Sequence, residues 1–424
     1  MGSILKIASR NLLRYRRRTL LTSALVVLGI VAVIVFIAVA GSFKSMMIGQ
    51  ITDSMLGHVQ VHRRGYVASI DSLPLNLNMS VGMVEKVGAV LDATPQVAAW
   101  SPRVKFGAGF SNFAETTNIR IVGVEPDREL AVTPLSVGRV RGGQDRKGFL
   151  QKGEVLVPEL LARGMKVKVG DTVVLIATNK DGSVNGKTFT VRGEMESVTG
   201  PGGRDGFIHI EDARELLRMG TPEVSEIAVR LKDPEATERV VAALMPVLGA
   251  TKAKDDQAKK KDAGAGAGIE VHPWQRLTPF ANIANMIDMM TLFIKIMLVS
   301  IVLISVMNVM VMAVYERIRE IGTISAIGTP PRRVLSLFLA EGLILGIVGA
   351  VIGSVLSVAA IYALRAARLT FDFGQQQGLL LVPSVAAHDV LAVSGIVVLV
   401  AVLASLQPAW KASRMDPIEA LRHV

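Results

Sequence analysis

Four stretches of the chain, Leu20 to Ser42, Ile296 to Tyr315, Gly342 to Leu364 and Val390 to Trp410, contain no charged residue. Each is roughly 20 residues long or slightly more, enough at about 1.5 Å per residue to cross a hydrocarbon core of about 30 Å as a helix. Four crossings therefore constrain everything else. An apolar content of 50% agrees with them, and the interval between the first two leaves room for one large soluble domain.

The basic residues orient the crossings. Lys6, Arg10, Arg14, Arg16, Arg17 and Arg18 precede the first stretch with no acid among them, which holds the N-terminus in the cytosol. The expected order is a basic cytosolic segment (1–19), a first span (20–42), an α/β domain outside the cell or in the periplasm (43–285), a stalk and second span (286–315), a cytosolic helix (316–333), a third span (334–364), a loop on the same outer side (365–389), a fourth span (390–410) and a cytosolic tail (411–424). Arg317, Arg319, Arg332, Arg333, Lys411, Arg414 and Arg422 all fall on the inner face in this scheme. Ala38-Val39-Ala40 has the look of a signal-peptidase site. The apolar run before it exceeds the usual h-region of about 7–15 residues, so a retained anchor is preferred. The net charge of +11 is spread over the anchor and span flanks, without the aromatic-basic pattern of a nucleic-acid binder.

The large interval reads as mixed α/β. His58-Val59-Gln60-Val61-His62 alternates like a strand, Val81 to Leu91 has helical spacing, and Asn118 to Val124 and Gly153 to Val157 are again strand-like. Pro158 opens a short helix. Val173–Ala177 and Phe189–Gly193 form a hairpin around the polar run 178–188. Helix returns at 211–219 and 234–248, either side of an alternating run at 226–231. Residues 250–268 fall to Lys, Asp, Ala and Gly, a composition that cannot bury enough apolar surface to order itself and predicts a flexible loop. From Pro279 a helical pattern continues unbroken through Asp288 and Lys295 into the second span, so its upper turns stand above the membrane as a stalk.

Between the second and third spans lies a short charged segment. Ile318, Ile321, Ile324 and Ile327 recur every three residues, with Arg317, Arg319 and Glu320 beside them. Gly322 and Gly328 permit close approach or a bend, and Pro330-Pro331 ends the helix. From these residues alone, a helix lying on lipid and a helix docked on a partner are equally good readings. In the third span Gly342, Gly346, Gly349 and Gly353 recur at three- and four-residue spacing, a small-residue face suited to helix packing. Glu341 is expected to pair with Arg317 or Arg333.

Glu316-Arg317-Ile318-Arg319-Glu320-Ile321-Gly322, Ala326-Ile327-Gly328, Phe338-Leu339-Ala340-Glu341-Gly342 and the closing Arg414-Met415-Asp416-Pro417-Ile418-Glu419-Ala420-Leu421-Arg422 resemble permease subunits of the FtsX, MacB and LolC/LolE type, the mechanotransmission (type VII) ABC transporters. Gly153 to Val157 and Val167 to Asp171 are similar to the same family's periplasmic domain. The resemblance implies an α-helical membrane domain of four helices, with a periplasmic α/β domain of two subdomains between helices 1 and 2. It implies an inner-membrane subunit that pairs with a second permease, identical or homologous, and contacts a cytosolic ABC ATPase dimer. Glu316, Arg317, Arg319, Glu320, Ile321, Gly322, Ile324, Ala326 and Gly328 would then form the ATPase-coupling helix. ATP and Mg would be bound by the ATPase, and no cofactor or metal by this chain.

Catalysis by the chain itself finds no pattern. The run 182–188 lacks the first glycine of a phosphate loop, because Asp181 occupies its place. His58 and His62 lie four apart on a strand-like run and read as surface residues, with His209, His272, His388 and His423 scattered. The features around Gly57 to Tyr66 look nearer to lipoprotein-releasing permeases than to macrolide exporters of the MacB type. Release of lipoprotein or another amphiphile requires an apolar cavity between subunits, for which Met289, Met290 and Phe293 are candidates. The alternative, a signalling device of the FtsX type acting on a periplasmic partner such as a cell-wall hydrolase, needs an external protein-binding face and no lipid cavity.

Overall fold

The computed structural model describes residues 6–8, 10–11, 16–142, 148–197, 204–249, 268–373, 376–416, 418 and 420. The expected loop at 250–268 thus lies, apart from Gly268, outside the described residues, as do Pro417, Glu419, Leu421 and Arg422 of the closing motif. In chain order the main elements are α1 (Arg16–Ile51), β1 (Val59–Arg63), α2 (Val81–Asp92), β2 (Val97–Ser111), β3 (Thr116–Val124), α3 (Pro126–Val132), β4 (Val140–Arg141), β5 (Glu154–Pro158), α4 (Glu159–Gly164), β6 (Thr172–Thr178), β7 (Val184–Met195), β8 (Gly206–His209), α5 (Ile210–Leu216), β9 (Glu226–Leu231), α6 (Thr237–Leu248), β10 (Ile269–Pro273), α7 (Phe280–Glu316), α8 (Ile318–Ala326), α9 (Pro331–Ala366), β11 (Thr370–Phe373), β12 (Gln376–Leu380) and α10 (Ala387–Ser413). The chain divides into a helical unit (Met1–Ser45, Asn285–Phe371, Leu380–Val424) and a sheet unit (Met46–Ala284, Asp372–Leu379).

Among the described residues, four helices are long and apolar enough to cross a membrane: α1, α7, α9 and α10. All four overrun the charge-free stretches that revealed them. α1 continues to Ile51, beyond Ser42, and α7 begins at Phe280, next to the Pro279 from which the helical pattern is expected to run. Charged and polar residues flanking the apolar cores keep good helix propensity, so helix length exceeds span length. Within the interval 365–389, expected as a loop, β11 and β12 pair as a two-stranded sheet.

The glycines of α9 set the spacing of the helical unit. A Cβ at Gly342 would overlap the Ser405 hydroxyl of α10, and one at Gly346 would stand 3.0 Å from Ala401 Cβ. Further along, a Cβ at Gly349 would come 2.5 Å from Val26 Cγ1 and one at Gly353 2.8 Å from Ile30 Cβ, both on α1. One glycine line thus serves two neighbours, α10 at one end and α1 at the other. Close backbone approach of this kind replaces the hydrophobic driving force that is missing between helices in lipid. Lys44 of α1 reaches Asp288 of α7, with Nζ 2.7 Å and 2.5 Å from the two carboxylate oxygens.

Among the described residues, the main sheet of this unit has ten strands, in the order β10-β1-β9-β2-β3-β8-β5-β7-β4, with β6 pairing both β2 and β7. Most pairs are antiparallel, while β3/β8 and β5/β7 are parallel. The 15-residue β2 joins two halves of the sheet: residues 97–103 pair with β9, and residues 108–111 pair with β6. Alternation along β1 sends Val59 and Val61 into a core shared with Ile227, Val229 and Val271 and with Val240 and Leu244 of α6.

The opposite face of β1 overturns the reading of His58 and His62 as surface residues. They are 2% and 0% exposed, because both faces of this part of the sheet are covered. Register aligns Glu270 of β10, His62 of β1, Glu226 of β9 and Arg103 of β2 in one row. Tyr66 stacks on His62 at 5.2 Å between ring centroids. Arg103 grips Glu129 of α3 through two bonds of 3.0 Å and 2.6 Å, and its third nitrogen lies 2.9 Å from Glu226. Lys105 Nζ stands 2.8 Å and His62 Nε2 3.4 Å from the other Glu226 oxygen. Burial pushes the Glu226 carboxyl upward, but Lys105, the His62 hydrogen bond and Arg103 outweigh it and hold the group well below the usual carboxylate range. Burial lowers the His62 imidazole despite Glu226 beside it.

Two predictions follow from this packing. Gly342→Val, which drives a side chain into Ser405, should lower the thermal midpoint of the purified chain in detergent, whereas Gly395→Ala, where nothing lies within 4 Å, should leave it unchanged or raise it slightly. Because the folded pKa values of His62 and Glu226 both lie below their unfolded values of 6.5 and 4.5, the folded state binds fewer protons. Their stabilisation is complete above those values and disappears as pH falls through the folded ones. The midpoint should therefore begin to drop below about pH 6.5 and fall more steeply in the carboxylate range, and Glu226→Gln should flatten the acidic limb.

Candidate coupling site

Arg317 separates α7 from α8. Its φ of −111° and ψ of 14° leave helical geometry, so that a helix that could have continued breaks after Glu316. The side chain is buried, and its guanidinium lies 2.8 Å from Glu341 Oε1 on α9, with side-chain exposures of 7% and 2%. Asn11 donates its amide N–H to the same oxygen at 3.0 Å, and the Arg317 guanidinium donates to the Asn11 carbonyl at 3.5 Å. Of the two arginines expected to reach Glu341, Arg317 does so, and Arg333 is exposed at the start of α9. A buried carboxylate without such partners would be strongly disfavoured.

α8 ends as its sequence dictates. Gly328, at φ +93°, donates its N–H to the Ser325 carbonyl at 3.0 Å, and the Thr329 N–H reaches the Ile324 carbonyl at 3.2 Å. This is the paired closure of a Schellman motif, which needs a residue tolerant of positive φ. Pro330 is extended and Pro331 occupies the first turn of α9, where its missing N–H costs nothing.

The three-residue recurrence of the four isoleucines does not place them on one face of α8. Steps of three residues fall about 60° short of a full turn of a helix with 3.6 residues per turn, so the series winds around α8. Ile321 is 4% exposed and packs in the core that contains Val314, Val334 and Phe338, with Gly322 buried beside it. Ile324 and Ile327 are 42% and 81% exposed. Arg319, Glu320, Ala326 and Gly328 are exposed near them, as is Glu316, whereas Ile318 is half-buried. Among the residues singled out from sequence, Ile321, Gly322 and Arg317 thus anchor the helix, and Ile324, Ile327 and the charged residues present a mixed apolar and charged surface. Met289, Met290 and Phe293 lie elsewhere, exposed along α7. The sequence reading missed Asn11, which no charge or periodicity marks, and Ser405, which only the missing side chain of Gly342 explains.

Comparison with known proteins places these features in a family. Residues 19–247, more than half of the chain, match the MacB-like periplasmic core domain, and residues 292–417 match the FtsX-like permease C-terminal domain. The lipoprotein-releasing system transmembrane protein LolC of Neisseria meningitidis serogroup B is 24% identical, over 96% of this chain and 94% of that protein. The macrolide export ATP-binding/permease protein MacB of Agrobacterium fabrum is also 24% identical, over 99% of this chain and 60% of that protein. The extracellular domain of the noncanonic ABC-type transporter YknZ aligns with 50% of this chain and 98% of its own at 13% identity, with a TM-score of 0.31. The chain belongs to the MacB-like and FtsX-like family of ABC transporter permeases, multi-pass membrane proteins of the LolC and MacB type.

Proposed function

We propose that this chain is the transmembrane subunit through which a separate cytosolic ABC ATPase dimer does work on the far side of a bacterial inner membrane, and that this work is the release or export of lipoprotein or another amphiphile. The observation that carries the coupling half of the proposal is the surface of α8. It combines exposed Ile324 and Ile327 with Arg319 and Glu320, mounted on a buried ion pair that ties the helix to α9. Exposed isoleucines ringed by charge suit a protein groove. ATP and Mg belong to the ATPase, and this chain binds no cofactor of its own for that step. A second permease, identical or homologous, completes the pair, and the sheet unit faces the periplasm, where a periplasmic protein can dock.

The two helices that would carry displacement are α1 and α7. Each runs unbroken past the residues at which the two units divide, between Ser45 and Met46 and between Ala284 and Asn285. The substrate half of the proposal is supported by the likeness to LolC over nearly the whole chain. Exposed Met289, Met290 and Phe293 offer flexible apolar surface for acyl chains between subunits. Macrolide export is the second reading, supported by the likeness to MacB over 99% of the chain.

Reconstitution with the cognate ATPase in liposomes tests both halves. Ile324→Asp with Ile327→Asp should abolish stimulation of ATP hydrolysis by this subunit while leaving its thermal midpoint unchanged, and intact stimulation would refute docking through α8. Acylated peptide should raise turnover where macrolide does not, and the reverse would favour the second reading. Arg317→Met should destabilise the chain by about 3–5 kcal/mol by leaving Glu341 buried and unpaired. Adding Glu341→Leu should restore most of that loss, as measured by denaturant unfolding in detergent.

A further inference from the structure

At the β10 edge of the buried polar row, His62, Glu270 and His272 converge. His62 and Glu270 are cross-strand partners on β1 and β10, and His272 lies two residues beyond Glu270 on the same face. One ring nitrogen from each histidine and one oxygen from Glu270 all lie within 4.8 Å of one another, and all three residues are buried. Among the described residues, His62 Nδ1 and His272 Nε2 have no hydrogen-bond partner, although their residues are only 0% and 6% exposed. Buried polar atoms without partners are rare, because each carries its full desolvation penalty.

The spacing matches a shared cation. His272 Nε2 stands 3.5 Å from Glu270 Oε2, long for a hydrogen bond. Two ligands each about 2.0–2.1 Å from Zn²⁺ at a tetrahedral angle stand about 3.4 Å apart. The carboxylate is already oriented, since Glu270 Oε1 accepts from the Val67 N–H at 3.1 Å and Oε2 from the Gly65 N–H at 3.4 Å. His62 turns its Nε2 toward Glu226 Oε2 at 3.4 Å. A carboxylate on the far nitrogen is the usual outer partner of a metal-bound imidazole, and it leaves Nδ1 for the metal.

We propose that His62, Glu270 and His272 form a divalent-cation site in the sheet unit, with Zn²⁺ as the ion its two imidazoles and one carboxylate fit. The three residues are too buried for substrate to reach, so the ion acts as a staple. It fastens β10, which among the described residues pairs with β1 alone, to the rest of the sheet. Edge strands are the least secured part of a sheet. The strand so fastened leads through Trp274 into α7 within seven residues of Pro273, so the staple would stiffen the base from which α7 departs.

The test uses the full chain in detergent, stripped with EDTA, incubated with Zn²⁺ alone, desalted and analysed for metal. About one Zn²⁺ per chain is expected for the unaltered protein and for His388→Gln, and about one tenth of that or less for His62→Gln and His272→Gln. Zn²⁺ should raise the thermal midpoint of the unaltered chain and not that of Glu270→Gln. Should the variants fail to fold, the unaltered chain decides alone: Co²⁺ added to the stripped protein should give the visible absorption of a low-coordinate nitrogen and oxygen site, and its displacement by Zn²⁺ should bleach it. No retained Zn²⁺ and no Co²⁺ band, or full metal content in both histidine variants, would overturn the proposal.

Discussion

A carboxylate inside a bundle of apolar helices must find a cation, and Glu341 finds Arg317. Much of the helical unit follows from that need. For the guanidinium to reach α9, the chain has to leave helical geometry at Arg317, and this break is what makes α8 a separate element. The same carboxylate oxygen takes the Asn11 amide, so a single charge ties Asn11 and the α7–α8 junction to α9. A displacement of α8 would be felt directly by α9, because breaking the pair would leave a charge buried and unpaired. Next to this tie, the glycines of α9 allow α10 and α1 to close on the same helix, so that the ion pair and the small-residue line act on one element from two directions.

The sheet unit uses the same physics at a different scale. Arg103 is held by Glu129 and Glu226, and Lys105 and His62 share the second Glu226 oxygen. This network lies on a sheet face that would otherwise be apolar or wet. It joins β1, β9 and β2 to α3 by directional bonds, and bonds with fixed geometry specify one arrangement more sharply than interchangeable apolar contacts do. Both faces of β1 are consequently buried, one by hydrocarbon and the other by paired charge.

The membrane helices were legible because lipid imposes a composition no other environment demands: a charge-free run of about 20 residues has few alternative explanations. The stop signal of α8 was equally plain, since Gly328, Pro330 and Pro331 each have a stereochemical requirement that the structure meets. The face of α8 was not. A three-residue repeat looks like a stripe on paper but winds around a helix, and Ile321 and Ile327 end on different sides. In the sheet unit, alternation along His58 to His62 marked a strand correctly, but the same alternation is produced by a wet face and by a face covered with ion pairs. The polar row depends on register among β10, β1, β9 and β2, whose residues are separated by up to about 200 positions, and no local pattern encodes it. The only hint was the pair Glu270 and His272, two apart on a strand and therefore on one face, as His58, Gln60 and His62 are.

The central claim is that α8 is the surface on which the motor protein acts. The natural sequence has no cysteine, so a single Ile327→Cys carries a photo-crosslinker at one defined point, on a residue that is 81% exposed. Irradiation of native membranes with nucleotide present should join this position to a nucleotide-binding protein, with a yield that changes between the ATP-bound and nucleotide-free states. A product containing only lipid, or labelling of that cysteine by a reagent confined to the outer side of the membrane, would contradict the claim.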